Sequence, residues 1–148
     1  MTIPERLNND IKDAMKARDE LRLGVLRMLK SDLRYKQIEL GHELSEEEVI
    51  AVLSTAAKCR REAVEEYERG DRQDLSDKEK AELVVIIEYL PEQLSDDDLN
   101  RLVDEAIAEA NATTLKDIGL VMKVLMPKVR GRADGKVVNT AVRARLGK

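Results

Sequence analysis

Apolar residues recur along this chain in steps of three and four, the spacing that places them on one face of an α-helix. Polar and charged stretches separate seven such segments. Only three prolines and seven glycines interrupt the pattern, which disfavours many short strands joined by tight turns. The sequence therefore predicts an all-α protein with seven helices.

Capping motifs mark where these helices begin and end. A Ser, Thr or Asp at the N-cap, often followed three residues later by Glu, satisfies free N–H groups of the first turn. The predicted N-caps are Thr2, Ser45, Ser76, Ser95, Thr114 and Asp134. Gly41, Gly70 and Gly147 are predicted to end helices, and Pro127 is expected to end one at Met126.

The segment Glu92–Ser95 is predicted to be a linker between two domains. Pro91 follows a long apolar helix, and Ser95 offers a new N-cap four residues later. We therefore expect a four-helix N-terminal domain over residues 1–91 and a smaller three-helix C-terminal domain over residues 95–148.

Composition limits the kind of core and the cellular setting. The chain has no Phe or Trp and only three Tyr, so the core must be aliphatic. Cys59 is the only cysteine, which excludes an intramolecular disulfide and suggests a reducing cytoplasm. The first ten residues lack a signal-peptide pattern, and the longest apolar run, Leu83–Ile87, is far too short for a membrane span. We expect a cytoplasmic protein that does not bind membranes.

The charge of the chain reverses near its C-terminal end. Lys116–Lys148 carries nine Lys or Arg against two Asp, a formal charge of +7, whereas the whole chain carries −4. Residues 1–115 therefore carry −11. A basic end on an acidic helical chain indicates a surface for an anionic partner.

Within the basic stretch, Gly131 and Gly135 bracket a predicted turn, with Asp134 as the cap of the last helix. A phosphate loop of the Walker type is excluded, because only three residues separate the glycines and Val137 replaces the metal-binding hydroxyl. Two interpretations stay open. The turn is either a simple helix–helix connection that uses glycine for positive φ, or an anion-contacting turn with basic side chains around the helix N-terminus.

Other candidate residues have ordinary structural explanations. Cys59 is predicted to lie on the apolar seam of the third helix, within a heptad-like face over Val49–Tyr67. His42 falls in a predicted loop. The acidic clusters Glu46–Glu48 and Asp96–Asp98 occupy first helical turns, where the helix dipole favours them. The sequence therefore predicts no catalytic residues, no metal site and no cofactor.

Residues 117–139, DIGLVMKVLMPKVRGRADGKVVN, resemble the tail of the YqeY-like family, also called the GatB/YqeY domain. That module ends the B subunit of the tRNA-dependent Asn/Gln amidotransferases. Further matching stretches are Leu26–Lys30, Glu66–Leu75 and Glu88–Ser95, so the resemblance covers nearly the whole chain. It implies an all-helical protein with a larger N-terminal domain and a smaller C-terminal domain. In the amidotransferase the equivalent tail helps to recognise tRNA.

From this resemblance and the basic stretch we expect a non-catalytic accessory protein that binds tRNA or another structured RNA. Its partners would be aminoacyl-tRNA or the amidotransferase machinery. No aromatic residue lies in Leu90–Lys148, so contacts there should go to phosphate, sugar and overall shape rather than to stacked bases. The residues predicted to bind RNA are Lys128, Arg130, Arg132, Lys136 and Arg143.

Two alternatives are a helical protein–protein interaction module without RNA binding, and a component of a glutamine-dependent carbon–nitrogen ligase system. In the ligase alternative, the carbon–nitrogen ligase activity would be attributed to the chain through its relation to the amidotransferase. The chain shows no Ser-rich amidase signature, no nucleotide-binding loop and no recognisable acid–base pair. We therefore do not expect it to act as an enzyme on its own.

Overall fold

A computed structural model describes residues 1–147 and shows an all-α protein, which confirms the predicted fold class. The helices are α1 (Ile3–Ala17), α2 (Glu20–Leu40), α3 (Glu46–Arg69), α4 (Gln73–Ile87), α5 (Asp96–Glu109), α6 (Ile118–Val129) and α7 (Gly135–Leu146). A short 3₁₀ turn at Leu115–Asp117 precedes α6, and no strand occurs within residues 1–147. None of these helices is long and apolar enough to cross a bilayer.

The chain divides into two compact units, Met1–Pro91 and Glu92–Lys148, each with its own hydrophobic core. In the first unit α3 packs along α4, α1 packs along α2, and α2 contacts both α3 and α4. In the second unit α5, α6 and α7 contact one another. Among the described residues, Tyr89 is the one aromatic residue in either core, so the prediction of an aliphatic core is confirmed.

Local capping begins several helices where the sequence predicts. Glu5 N–H donates to Thr2 Oγ1 at 3.3 Å, and Ser45 N–H donates to Glu48 Oε1 at 2.9 Å in a second capping box. Ser95 Oγ accepts the N–H of Asp98 at 3.1 Å. Each such cap stabilises its helix by about 0.5–2 kcal/mol. The bond from Ser45 N–H also lowers the pKa of Glu48.

The predicted start of α4 is wrong, because Ser76 is not an N-cap. The helix begins at Gln73, four residues before the predicted start, after an Arg72 cap that has no side-chain hydrogen bond. Ser76 is fully buried and donates its hydroxyl to Glu68 Oε1 of α3 at 3.2 Å. A tertiary bond between two packed helices therefore uses the hydroxyl that the sequence pattern assigns to local capping.

The predicted apolar seam of α3 is also partly wrong, since Cys59 is exposed. The buried positions are Val49, Leu53, Ala56 and Ala57. At about 100° per residue, Arg60 falls within this buried stripe whereas Cys59 falls at its edge. Arg60 occupies the position by pairing through Nε with Glu82 at 2.9 Å and Glu79 at 3.4 Å.

Pro127 does not end α6 at Met126, as its sequence position suggests. The helix continues to Val129, and Arg130 N–H donates to Met126 O at 3.0 Å. Proline removes the bond that its own N–H would make to the carbonyl of Lys123, and its ring crowds that carbonyl. Pro127 and Lys123 are both on the exposed side of the helix, where water can satisfy that carbonyl.

Tyr89 closes the core of the first unit after α4 has ended at Ile87. Its side chain is 1% exposed, and its hydroxyl donates to Asp10 Oδ2 of α1. Arg22 of α2 donates to Tyr89 Oη at 3.5 Å, and the Arg6 guanidinium lies 4.9 Å from the ring centroid. Burial and the carboxylate of Asp10 raise the pKa of Tyr89 to about 12.

Replacing Tyr89 with Phe should lower the free energy of unfolding by about 1–3 kcal/mol, because Asp10 and Arg22 lose a partly buried hydrogen-bond partner. Tyr35→Phe is the matched control, since that ring is 73% exposed and the change should stay within about 0.5 kcal/mol. Urea denaturation of both variants measures the difference. Equal effects would contradict a structural role for the Tyr89 hydroxyl.

The same pair of variants should differ in alkaline stability. In the unfolded chain a tyrosine loses its proton near its ordinary pKa of about 10, whereas folded Tyr89 keeps its proton until about 12. The unfolded state therefore binds fewer protons in this window, and stability falls as pH rises from about 10 to 12. Tyr89→Phe should remove this component, and Tyr35→Phe should retain it.

Candidate nucleic-acid interface

The connection between α6 and α7 reverses the chain at Gly131. This residue is buried and has φ of +77°, a conformation that side chains rarely adopt. Arg132 N–H and Ala133 N–H both donate to Val129 O, at 2.8 and 3.2 Å, and so satisfy the end of α6. Of the two glycines in the predicted turn, Gly131 supplies the positive φ.

Gly135 follows the turn, as the predicted cap at Asp134 implies, and does not share the conformation of Gly131. It is the first residue of α7, has no positive φ, and a Cβ built on it would meet no atom within 4 Å. Asp134 is the N-cap, as predicted, and accepts the N–H of Lys136 at 3.4 Å. A carboxylate therefore already occupies part of the helix N-terminus that an anion would need.

The segment before α5 is bonded to this turn. Gln93 Nε2 donates to Gly131 O at 2.8 Å, and Leu94 N–H donates to Arg132 O at 2.9 Å. Arg132 Nε returns a bond to Glu92 O at 3.1 Å. The residues predicted as a linker thus hold the two carbonyls of the turn in place within the second unit.

On α7, the basic side chains lie opposite the buried face. Val138, Val142 and Leu146 are buried, whereas Lys136, Thr140 and Arg143 are exposed. Residues 136 and 143 are separated by about two turns, so both lie on the same side of the helix. Val137, expected on the apolar face, is 48% exposed, because it falls about 100° from Val138.

The structure distinguishes four of the five predicted basic residues by the partners of their side chains. Lys128 Nζ pairs with Glu109 Oε2 of α5 at 3.3 Å, and Arg132 is bonded to Glu92 as described. Arg143 Nε donates to the neutral Asn139 Oδ1 at 2.8 Å. Arg130 is exposed and has no side-chain partner within residues 1–147.

Several of these charges also have a structural explanation. Lys128 is in the last turn of α6, and Arg143 and Arg145 are in the last turn of α7. A cation at a helix C-terminus interacts favourably with the helix dipole by about 0.3–1 kcal/mol. Arg145 is further neutralised by Asp104 at 3.5 Å. Lys148, which also contributes to the charge of this stretch, lies outside the described residues.

Two features of this surface were missed in the sequence. Asn139 orients Arg143, and its spacing of four residues could have identified it. The bonds from Gln93 and Leu94 join residues 38 positions apart, so no local pattern could reveal them. Within residues 1–147, no group of His, Cys, Asp or Glu is arranged to hold a metal ion.

Comparison with known proteins gives a family and a set of relatives. The sequence profile of the family described as "Yqey-like protein" matches residues 4–146. The chain is 34% identical over 85 residues to "Altered inheritance of mitochondria protein 41, mitochondrial" of Lachancea thermotolerans, an alignment covering 57% of this chain and 46% of that protein. Proteins of the same name from Pyrenophora tritici-repentis and Saccharomyces cerevisiae are 24% and 27% identical, over 96% and 90% of this chain and 80% and 71% of theirs.

These names contradict the cytoplasmic location expected from the sequence, because the named relatives are mitochondrial proteins. The expectation rested on a single cysteine and on the lack of a signal-peptide or membrane-span pattern. The absence of an intramolecular disulfide is compatible with any reducing compartment, so cysteine usage could not distinguish one such compartment from another.

Gly131→Ala should destabilise the protein by about 1–2 kcal/mol, because alanine is strained at positive φ. Gly135→Ala is the matched control in the same turn. It should be neutral or stabilise by up to about 1 kcal/mol, since the backbone there is helical and the added methyl group meets open space. Thermal and urea unfolding measure both, and equal destabilisation would mean that both glycines are required.

Proposed function

The chain belongs to the Yqey-like protein family, and from that premise we propose that it is a non-catalytic accessory protein that binds tRNA or another structured RNA. The observation that carries the proposal is the basic surface of the second unit, where Arg130 and Arg143 carry charges that no acidic side chain within residues 1–147 neutralises. Phosphate groups would supply the missing negative charge.

The binding surface would consist of Arg130 at the end of α6 and of Lys136 and Arg143 along α7. Lys128 would join when RNA displaces Glu109, because a surface ion pair at 3.3 Å stabilises the protein by at most about 1 kcal/mol. Arg132 would contribute mainly by holding the turn, since its Nε is bonded to Glu92 O. Such contacts recognise the phosphate backbone and the overall shape of an RNA, as expected for folded RNA.

The resemblance of residues 117–139 to the amidotransferase tail makes tRNA, aminoacyl-tRNA and the amidotransferase machinery the first partners to examine. The role is that of an accessory surface rather than a reaction centre. Arginine and lysine at this turn would position an RNA through its phosphates, and any chemistry on that RNA would belong to another protein.

We also propose that the two units are separate domains, four helices in residues 1–91 and three in the remainder. Each unit has a contiguous apolar core, with Leu26 and Leu53 among the fully buried side chains of one and Val103 and Leu125 among those of the other. An independent core of this kind is the physical condition for independent folding.

Arg130→Gln with Arg143→Gln should weaken tRNA binding by up to roughly 30-fold at about 0.1 M salt. Each lost phosphate contact should also reduce the slope of log K against log salt by about 0.7–0.9. Gel-shift titrations against total tRNA at several salt concentrations measure both quantities. The folding free energy should change by no more than about 0.5 kcal/mol, because both residues are exposed.

The matched control is Arg101→Gln with Arg145→Gln, which removes the same charge from the same unit. These arginines are paired with Asp98 and Asp104, each at 3.5 Å, so their loss should alter RNA binding much less. Equal weakening by the two double variants would indicate unspecific charge attraction. No binding by the unaltered protein at low salt would reject the proposed function.

For the domain proposal, the fragment of residues 92–148 expressed alone should be helical by circular dichroism and should unfold cooperatively. It retains the bonds between residues 92–94 and the Gly131 turn, and its small core should make it only marginally stable. Fragment 1–91 should fold as well. If both fragments are unfolded, the two units are parts of one cooperative domain.

A further inference from the structure

A basic stripe follows the exposed side of α2 in the first unit. Arg27, Lys30 and Arg34 are separated by three and four residues, so they project from one side of the helix over about 10 Å. All three are exposed, and none has a hydrogen-bond or ion-pair partner within residues 1–147. Unpaired like charges in a row repel one another, so this stripe lowers the stability of α2 rather than raising it.

The stripe borders a groove of about 1170 Å³ within the first unit. The groove lies between the start of α1, the second half of α2 and the beginning of α3. Ile3, Leu44 and Ile50, which are half-buried, contribute apolar surface to its floor, while Lys30 and Arg34 line the wall formed by α2. A concave apolar surface with a few polar groups at its edge is typical of a binding site.

The rim of the groove has further exposed apolar surface. Ile38 lies one turn beyond Arg34, lines the groove and is 69% exposed. Acidic residues also line the groove, Glu5 on α1 and Glu43 and Glu46 just before and at the start of α3, and Arg6 of α1 lies beside them. An occupant therefore meets positive charge along the α2 wall, apolar surface below it and acidic side chains near α1 and α3.

We propose that this groove binds an amphipathic helix of a partner protein that carries acidic side chains along one edge. Apolar residues of such a helix at positions i, i+4 and i+7 would contact the floor. Acidic residues on the adjacent edge, at the same spacing, would pair with Lys30 and Arg34. The charge of the α2 wall thus decides the chemistry of the partner, and the apolar floor provides the contact area.

A nucleic acid fits this groove less well. Its phosphates would gain nothing from the apolar floor, and base stacking needs an accessible aromatic ring. Tyr89 borders the groove but is only 1% exposed, with Arg6 over its ring. The exposed Tyr35 of α2 is not among the residues that line the groove. The site also shares no residue with the basic surface of α6 and α7, so the two proposals can fail independently.

The experiment is a selection of random 16-residue peptides against the full chain, followed by fluorescence anisotropy with the selected peptides. We expect enriched sequences to combine Leu, Ile or Phe at helical spacing with Asp or Glu on the neighbouring edge. Lys30→Glu with Arg34→Glu should weaken their binding at least tenfold. Exchanging the peptide's acidic residues for Lys should then restore binding to that variant.

The matched control is Lys58→Glu with Lys78→Glu, which makes the same charge change at exposed, unpaired lysines outside the groove. Its affinity for the selected peptides should stay within about twofold, since distant surface charges are largely screened. Ile38→Asp tests the apolar rim separately and should also weaken binding. Circular dichroism melts of every variant verify that it remains folded.

The proposal is overturned if no peptide is enriched, if the enriched peptides lack acidic residues, or if the Lys30/Arg34 and control variants bind them equally. It is also overturned if Lys30→Glu with Arg34→Glu weakens tRNA binding as strongly as Arg130→Gln with Arg143→Gln. That result would make the α2 stripe a second phosphate-contacting surface. Loss of peptide binding in the Lys30/Arg34 variant with unchanged tRNA binding supports a protein partner.

Discussion

Burial of aliphatic side chains is the constraint on which the rest of this structure depends. With no Phe or Trp, the two cores are built from Leu, Val, Ile and Ala, and Tyr89 is the one core aromatic among the described residues. Each buried aliphatic side chain contributes about 1.5–3 kcal/mol at most, so many are needed. Long amphipathic helices supply them, and their outer faces accommodate a chain that is 38% charged. The charged surfaces for which we propose functions lie on these outer helix faces.

Hydrogen bonds then fix the conformation of connecting segments that the apolar cores do not determine. In the second unit, Gly131 reverses the chain and residues 92–94 bond to the carbonyls of the turn. Arg130 and Arg132 flank that glycine. Within residues 1–147 the Arg130 side chain has no partner, whereas Arg132 is bonded to Glu92. A rigid turn that presents one unneutralised arginine is better suited to a phosphate than a mobile loop, because less entropy is lost on binding.

The two units present surfaces of different chemistry. Lys136 and Arg143 of α7 are exposed on a unit whose sequence contains no aromatic residue, which is compatible with the proposed contacts to RNA phosphates. The basic stripe of α2 borders an apolar groove, which suits a protein segment. Basic residues alone would not distinguish these partners. What lies beside them, the turn at Gly131 or the apolar floor of the groove, makes the difference.

The sequence alone determined the features that depend on neighbours within one or two helical turns. It predicted the all-α fold, the aliphatic core, the caps at Thr2, Ser45, Ser95 and Asp134, and the charge reversal, because capping bonds and helical faces are decided by residues three or four positions apart. The resemblance to the YqeY-like family was also contained in the sequence, and the family profile confirms it.

Where a side chain could bond either to a local partner or to a distant one, only the tertiary structure determined which bond forms. Ser76 bonds to Glu68 of the neighbouring helix instead of capping α4. Arg60 takes a half-buried position beside Cys59, because Glu79 and Glu82 of α4 pair with it. Gln93 and Leu94 find their acceptors near residue 131, and the groove beside α2 exists only where three helices meet. Such contacts join residues far apart in the chain, so their energies depend on packing that no local pattern encodes.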